Sequence, residues 1–173
     1  DNKALVKVVD SSQAKLDELM AAYGSNNVEY ILSSEESIQS SINESDLVIG
    51  SVYVVGKEAP KVITKEMLSS MSPGTVMVDV SIDQGGCFET SKPTTHDNPT
   101  FLENDIVHYC VTNMPGAVPL TATEALNKVT LSYIDKLANN GISNALNSDI
   151  HLKNGLNMQN GKIVHPGVIE ALS

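Results

Sequence analysis

The sequence predicts an α/β domain built on a doubly wound parallel sheet. Two observations carry this. Short β-branched runs alternate with segments of helical periodicity, the order of βαβ units. Several of those runs are apolar throughout, as in strands covered on both faces. No internal repeat or low-complexity tract interrupts the pattern.

The elements follow in order. Leu5-Val6-Lys7-Val8-Val9 reads as a strand ending at Asp10. Ser12 caps a helix from about Gln13 to Tyr23, with Leu16, Leu19 and Met20 on one face and Gly24 as its stop. A strand over Val28 to Leu32 precedes a helix over Glu35 to Asn43, whose opening glutamates suit the helix dipole. Asp46 to Val52 reads as a buried strand. A short helix over Thr64 to Ser70 ends before Pro73-Gly74. Val76 to Val80 and Ile106 to Val111 complete the buried strands. Met67 and Met158 are expected in the core.

Beyond Met114-Pro115-Gly116 the pattern changes. Thr121-Ala122-Thr123-Glu124 reads as a capping box for a long helix reaching Asn139 and stopped near Gly141. Leu126, Val129, Leu131, Ile134 and Leu137 give that helix an apolar face suited to a core or an interface. A short helix over Ser143 to Leu146, a hairpin turning at Asn160-Gly161 and a last helix after Pro166 follow. Two units result: a partial nucleotide-binding domain over residues 1–118, and a bridging helix with its tail over 119–173.

Composition excludes several classes. A net charge of −10 argues against nucleic acid, which needs clustered cations, and disfavours anionic membranes. With two phenylalanines and five tyrosines, Val, Ile, Leu and Met must fill most of the core. Cys87 and Cys110 form no CxxC, so free thiols in a reducing compartment are expected. No apolar run approaches the ~20 residues needed to span a bilayer. Asp1-Asn2-Lys3 shows no signal peptide and no initiator Met, and a cytoplasmic location is the default expectation.

Ligands of doubly wound sheets sit beyond the carboxyl ends of strands. Asp10 stands at one such end, where an acidic residue accepts from ribose hydroxyls; a capping Asp is the alternative. No GxGxxG occurs, so the sheet is expected to be Rossmann-like but to lack its first strand and glycine loop. Asp83 leaves the Val76 to Val80 strand just ahead of Gly85-Gly86, which suits a proton shuttle and equally a turn-stabilising Asx residue. Cys87, His96, His108 and Cys110 have none of the usual metal-ligand spacing. His96 reads as a surface or locally bonded histidine, and His108 as a satisfied sheet histidine.

The run Ile82-Asp83-Gln84-Gly85-Gly86-Cys87-Phe88-Glu89 is the most specific stretch. Pro93-Thr94-Thr95-His96, His108-Tyr109-Cys110-Val111 and Asn113-Met114-Pro115-Gly116-Ala117-Val118-Pro119 accompany it, with Asp46 to Gly50 and Lys61 to Thr64 fitting the same pattern. Together they resemble the alanine dehydrogenases, in their carboxy-terminal half. Transhydrogenases share the nucleotide domain.

The resemblance implies NAD-dependent, reversible oxidation of L-alanine to pyruvate and ammonia. It places Asp10, Lys15 and Ser33 around the adenosine, and Val52 and Tyr53 against adenine or ribose. Ile82 and Asp83 would lie against the nicotinamide, Asn113 and Met114 opposite, with Asp83 as the catalytic carboxylate. The family's arginine, lysine and histidine for substrate come from an amino-terminal domain. No alanine turnover is therefore expected from this segment alone. A hexameric homo-oligomer is implied, with no metal. The alternatives are a transhydrogenase nucleotide-domain fragment and a non-catalytic binding or scaffold module. Leu120 replaces a usual basic residue, Val55 a proline, and Ser81 and Thr112 an alanine.

Overall fold

The computed structural model describes residues 3–173; Asp1 and Asn2, part of the leader reading and of the 1–118 unit, lie outside the described residues. The chain opens with β1 (Val6–Asp10), α1 (Gln13–Tyr23) and β2 (Val28–Leu32). The Ser12 hydroxyl caps α1 by accepting from the Lys15 N–H, and Gly24 ends the helix at φ 72°. Helix α2 (Glu35–Asn43) begins with a capping box formed by Ser34 and Ser37. The bounds of α1, β2 and α2 match the sequence reading, and β1 begins one residue later than expected, at Val6.

Strands β1 and β2 pair in parallel as a sheet of their own. The second sheet has the order β3-β4-β6-β5, from β3 (Leu47–Gly50), β4 (Val76–Asp79), β5 (Thr100–Glu103) and β6 (Ile106–Tyr109). β3, β4 and β6 are parallel, and β5 returns antiparallel on the outer edge. Among the described residues no strand pairs with β1 other than β2, or with β3 other than β4. This agrees with a doubly wound sheet whose first strand, central in the usual order, is not contributed by these residues.

One expectation about this sheet is corrected. The strand through Asp46 to Val52 was expected to be buried, yet Leu47 and Ile49 are 53% and 61% exposed. The parallel ladder explains their main chain. Val76 N–H donates to Asp46 O and Val80 N–H to Gly50 O, so even-numbered residues of β3 face β4 and the odd ones face outward.

The core lies on the other side of that sheet. Ile42, Ala59, Ile63, Met67, Leu68, Met71, Met77, Cys87, Phe88 and Ile106 form one buried cluster. Aliphatic and sulfur-bearing side chains dominate it around a single Phe, as the composition requires. Val48 and Gly50 are where β3 meets this core, and Gly50 comes closest. A Cβ there would come within 2.4 Å of Cys87 Sγ and 2.6 Å of the Phe88 ring.

Other expectations are corrected. The segment over Thr64 to Ser70 is helical only at Met67–Ser70, as a 3-10 turn. Val80 is outside β4 and 47% exposed. The β5 strand was not foreseen, although Asn104 and Asp105 both take positive φ (51° and 60°) in the two-residue turn before β6.

Helix α3 (Pro119–Ser148) begins at Pro119 behind Val118, so Thr121 lies inside it and forms no capping box. Pro at the first helical position supplies the start instead. Gly141 (φ 71°, ψ 161°) breaks the helix where a stop was expected, and a short segment continues beyond it. Leu126, Val129, Leu131 and Ile134 are all more than half exposed, so this apolar face is not core within the described residues. Asp149 caps α4 (Ile150–Asn154), accepting from His151 and Leu152 N–H, and pairs with Lys136 of α3. The hairpin β7 (Met158–Gln159) and β8 (Lys162–Ile163) turns at Asn160-Gly161 as expected, but Met158 is exposed rather than core. Helix α5 (Pro166–Ala171) closes the chain.

Candidate functional site

The carboxyl ends of β1 and β2 bring Asp10 and Ser33 together: Ser33 N–H donates to Asp10 O at 2.9 Å. Asp10 Oδ1 accepts from Ser12 N–H at 2.8 Å, a local Asx bond, while Ser12 and not Asp10 is the cap of α1. Its other oxygen has no hydrogen-bond partner among the described residues. Lys15 lies one turn into α1, exposed on the same end.

The second group forms where β3, β4 and β6 end. Val52 leaves β3 and is held by Ser81, which follows β4. Its N–H donates to Ser81 Oγ at 2.8 Å, and that hydroxyl donates back to Val52 O at 2.8 Å. The Val52 main chain is thereby engaged within the protein. Tyr53 next to it is 65% exposed.

After Ser81 a 3-10 turn (Ile82–Gln84) tucks Ile82 inward, 4% exposed, and turns Asp83 outward. Asn113, in a left-handed conformation (φ 52°, ψ 53°), aims its N–H at Asp83, 3.4 Å from Oδ1 and 3.3 Å from Oδ2. The residues expected on opposite sides of a ligand thus meet across the strand tips. Met114 follows, half-buried, in the turn Met114–Ala117. His96 Nε2 lies 3.1 Å from Asn113 O and braces this loop from behind.

No hydrogen bond among the described residues joins the Asp10–Ser33 group to the Asp83–Asn113 group. A cleft beside Asp83 is lined by Tyr53, Gly56, Glu58, Gln84 and, from the chain's last helix, Ala171. Glu170 pairs with Lys57 there, fastening α5 to the loop after β3. Gln84 Oε1 is buried without a partner, leaving one acceptor unsatisfied at the cleft.

Four residues of the site were not singled out from sequence. Asp79, wholly buried at the end of β4, accepts from the N–H groups of Ser81 and Cys87. Its signal was a charge within an apolar run. Lys61 Nζ donates to the carbonyls of Gly85 and Gly86 from outside the turn. Ser81 stood out only as a departure from the family's usual alanine, and Gln84 carried no signal, because small and amide side chains are common in turns. Burial pushes the Cys87 thiol up to about 11, with the Asp79 charge adding to the effect; Cys110 moves the same way through burial. Both thiols are free and buried. His108 is buried, bonded to Thr90 Oγ1 (2.8 Å) and Ile106 O (3.1 Å), a satisfied sheet histidine as expected. Among the described residues no three His, Cys, Asp or Glu side chains could hold a metal ion, and no helix is long and apolar enough to cross a membrane.

Carboxylates at the tips of parallel strands, on a doubly wound sheet, define a nucleotide-fold protein of the ligand-at-the-strand-ends type. Comparison with known proteins narrows this. The family model described as alanine dehydrogenase/PNT, C-terminal domain, matches residues 2–166, and the chain belongs to that family. It is 49% identical to an alanine dehydrogenase of Halomonas elongata over 168 residues, 97% of this chain and 45% of the relative. It is 45% identical to one of Staphylococcus haemolyticus, over 97% of this chain and 45% of that relative. A solved L-alanine dehydrogenase superposes at a TM-score of 0.81 with 45% identity, over 98% of this chain and 46% of its own. A transhydrogenase from Sinorhizobium meliloti, 20% identical, shares the fold at a TM-score of 0.62, over 94% of this chain and 50% of its own. The chain spans less than half the length of the curated relatives it matches.

Proposed function

We propose that this chain is the nucleotide-binding and proton-handling half of an NAD-dependent alanine dehydrogenase, working together with an amino-terminal half that supplies the substrate-binding cations and histidine. The observation that carries the reading is Asp83: an exposed carboxylate at the tip of a central parallel strand, held from one side by Asn113 N–H. The donor set suits NAD. Asp10 has an oxygen free to accept from ribose hydroxyls, with Lys15 and Ser33 on the same strand ends. Gln84 Oε1 offers an unsatisfied acceptor beside Asp83.

Bound NAD supplies the hydride acceptor. The chain's own residues position and manage protons. Asp83 takes up or holds a proton on the reacting water or ammonia. Asn113 N–H keeps that carboxylate oriented with Met114 next to it in the chain, and Tyr53 and Ala171 give the cleft its apolar walls. Ile82, being buried, acts through its main chain and as the base of the turn. The substrates are L-alanine and pyruvate, no nucleic acid is bound, and the assembly is a homo-oligomer of the hexameric kind.

The test uses the full polypeptide with both halves. Asp83→Asn is expected to lower alanine turnover by about 10²–10⁴-fold while NAD affinity stays within a few-fold. Unchanged turnover removes Asp83 from the mechanism. Hydride exchange between two nicotinamide nucleotides, with no alanine oxidation, would transfer the reading to a transhydrogenase.

A further inference from the structure

Three residues separate two carboxylates with opposite fates. Asp83 faces outward, while Asp79 is 0% exposed. A buried charge is tolerated only when other groups replace water around it. Among the described residues no cation pairs with Asp79. Five donors take that place. Oδ1 accepts from Ser81 N–H at 3.0 Å and from the Cys87 thiol at 3.4 Å. Oδ2 accepts from Cys87 N–H at 2.8 Å, from Phe88 N–H at 3.4 Å and from the Ser91 hydroxyl at 2.5 Å. Only an acceptor with several lone pairs and no hydrogen of its own satisfies such a set, which is what a carboxylate offers.

The donors flank the Asp83 turn. Ser81 lies immediately before it; Cys87, Phe88 and Ser91 lie after it. Gly86 (φ +76°) shows that the fit is close, since a Cβ there would come 2.8 Å from Asp79 Oδ2 and 2.9 Å from Ser91 Cβ. One buried group therefore closes residues 82–86 into a fixed loop, while Ser81 Oγ ties that loop to β3 and Lys61 grips its outer carbonyls.

We propose that Asp79 is the positioning residue of the Asp83 site: its buried carboxylate sets the loop so that Asp83 reaches Asn113 N–H. The functional meaning rests on the reading of Asp83 given above, but the geometric claim does not.

A mutant cycle on the isotope-labelled chain tests it without NAD or alanine, so its failure is distinct from failure of the proposed reaction. The readout is the Asn113 amide resonance. In the parent background, Asp83→Asn is expected to shift that resonance, because a charge-assisted bond is lost. In the Asp79→Asn background the same replacement is expected to leave it unmoved, since an Asn amide turns a donor toward the N–H groups and releases the loop. The Val107 and His108 amides of β6 should stay in place in both. Exchange of the Cys87 amide should quicken about 10–100-fold in Asp79→Asn, the loss of one bond to a charged group. An equal Asp83-dependent shift in both backgrounds overturns the proposal. If Asp79→Asn does not fold, Ser91→Ala removes a single donor; it is expected to reduce the Asp83-dependent shift, and an undiminished shift overturns the proposal equally.

Discussion

The hydroxyl of Ser81 engages both main-chain polar groups of Val52, accepting from its N–H and donating to its C=O at 2.8 Å each. A single side chain thus bolts the exit of β3 to the exit of β4. Ser81→Ala leaves two half-buried main-chain groups to find water and is expected to destabilise the fold by about 1–2 kcal/mol. The melting temperature should fall by roughly 2–8 °C for a chain of this size, and the Val52 amide should lose exchange protection. An unchanged melting temperature would show that the bond contributes nothing net.

The paired glycines after Asp83 are not equivalent. Both take positive φ, but a Cβ on Gly85 would meet only the Glu58 side chain at 3.6 Å, whereas one on Gly86 meets Asp79 at 2.8 Å. Gly85→Ala should cost about 1–2 kcal/mol, the penalty of a left-handed backbone. Gly86→Ala adds the clash and should cost more, as measured by chemical unfolding. Equal costs would mean that the loop shifts freely and that Asp79 does not constrain it.

That difference marks how far the sequence was legible. Elements whose signals are local were readable: the Ser12 cap, the Gly24 stop and the Asn160-Gly161 turn depend on neighbouring residues only. Asp83 was legible because it follows an apolar strand and precedes two glycines. Burial was legible only on the sheet face that these residues cover themselves. Met77 and Ile106 are buried as expected, while Leu47 and Ile49 are not, because periodicity reports what a strand can cover and not what lies beside it. The helix start was misplaced for a related reason: Thr121 to Glu124 has the pattern of a box, but Pro119 begins the helix two residues earlier. The role of Asp79 depends on donors from four later positions, a relation no local pattern encodes.

Cys87 predicts an alkaline limb in stability. Its thiol is raised from an ordinary value of 9.0 to about 11 by burial and the Asp79 charge. The folded state holds the proton more tightly, so this contribution is complete below pH 9.0 and is lost as pH rises toward 11. Melting temperatures over that range should fall in the parent and fall less in Cys87→Ala. At pH 8 to 9 neither Cys87 nor Cys110 should react with an alkylating reagent until the chain unfolds. Rapid labelling of the folded chain would contradict the buried, protonated state.

His108 has the opposite sign. Burial lowers its pKa from the ordinary 6.5, so the unfolded chain takes the proton first. The contribution is full above 6.5 and declines as pH drops below it. The ring also stacks on Phe101, 4.9 Å between centroids, so substitution alone will lower stability at all pH values. The informative quantity is the slope. Between about pH 6.5 and pH 5 the melting temperature of His108→Gln should fall less steeply than that of the parent. Parallel slopes would assign the acid sensitivity elsewhere.

The two sheets predict an exchange pattern with alternate-residue resolution. In β3, Val48 and Gly50 direct their main chains toward β4, while Leu47 and Ile49 direct theirs to the open side. In β1 the bond from Val6 N–H to Asn27 O places Val6, Val8 and Asp10 toward β2, and Lys7 and Val9 away from it. Amides of Leu47, Ile49, Lys7 and Val9 should therefore exchange rapidly in this chain, beside protected neighbours in the same strands. Unpaired parallel edges carrying exposed Leu and Ile side chains are rare in finished sheets, which cover both faces and protect their edges. Restoring the amino-terminal half should slow all four amides together, because one inserted parallel strand would bond both edges at once. If Leu47 and Ile49 are already as protected as Val48 in the isolated chain, hydrogen bonds join the two sheets directly and no strand belongs between them.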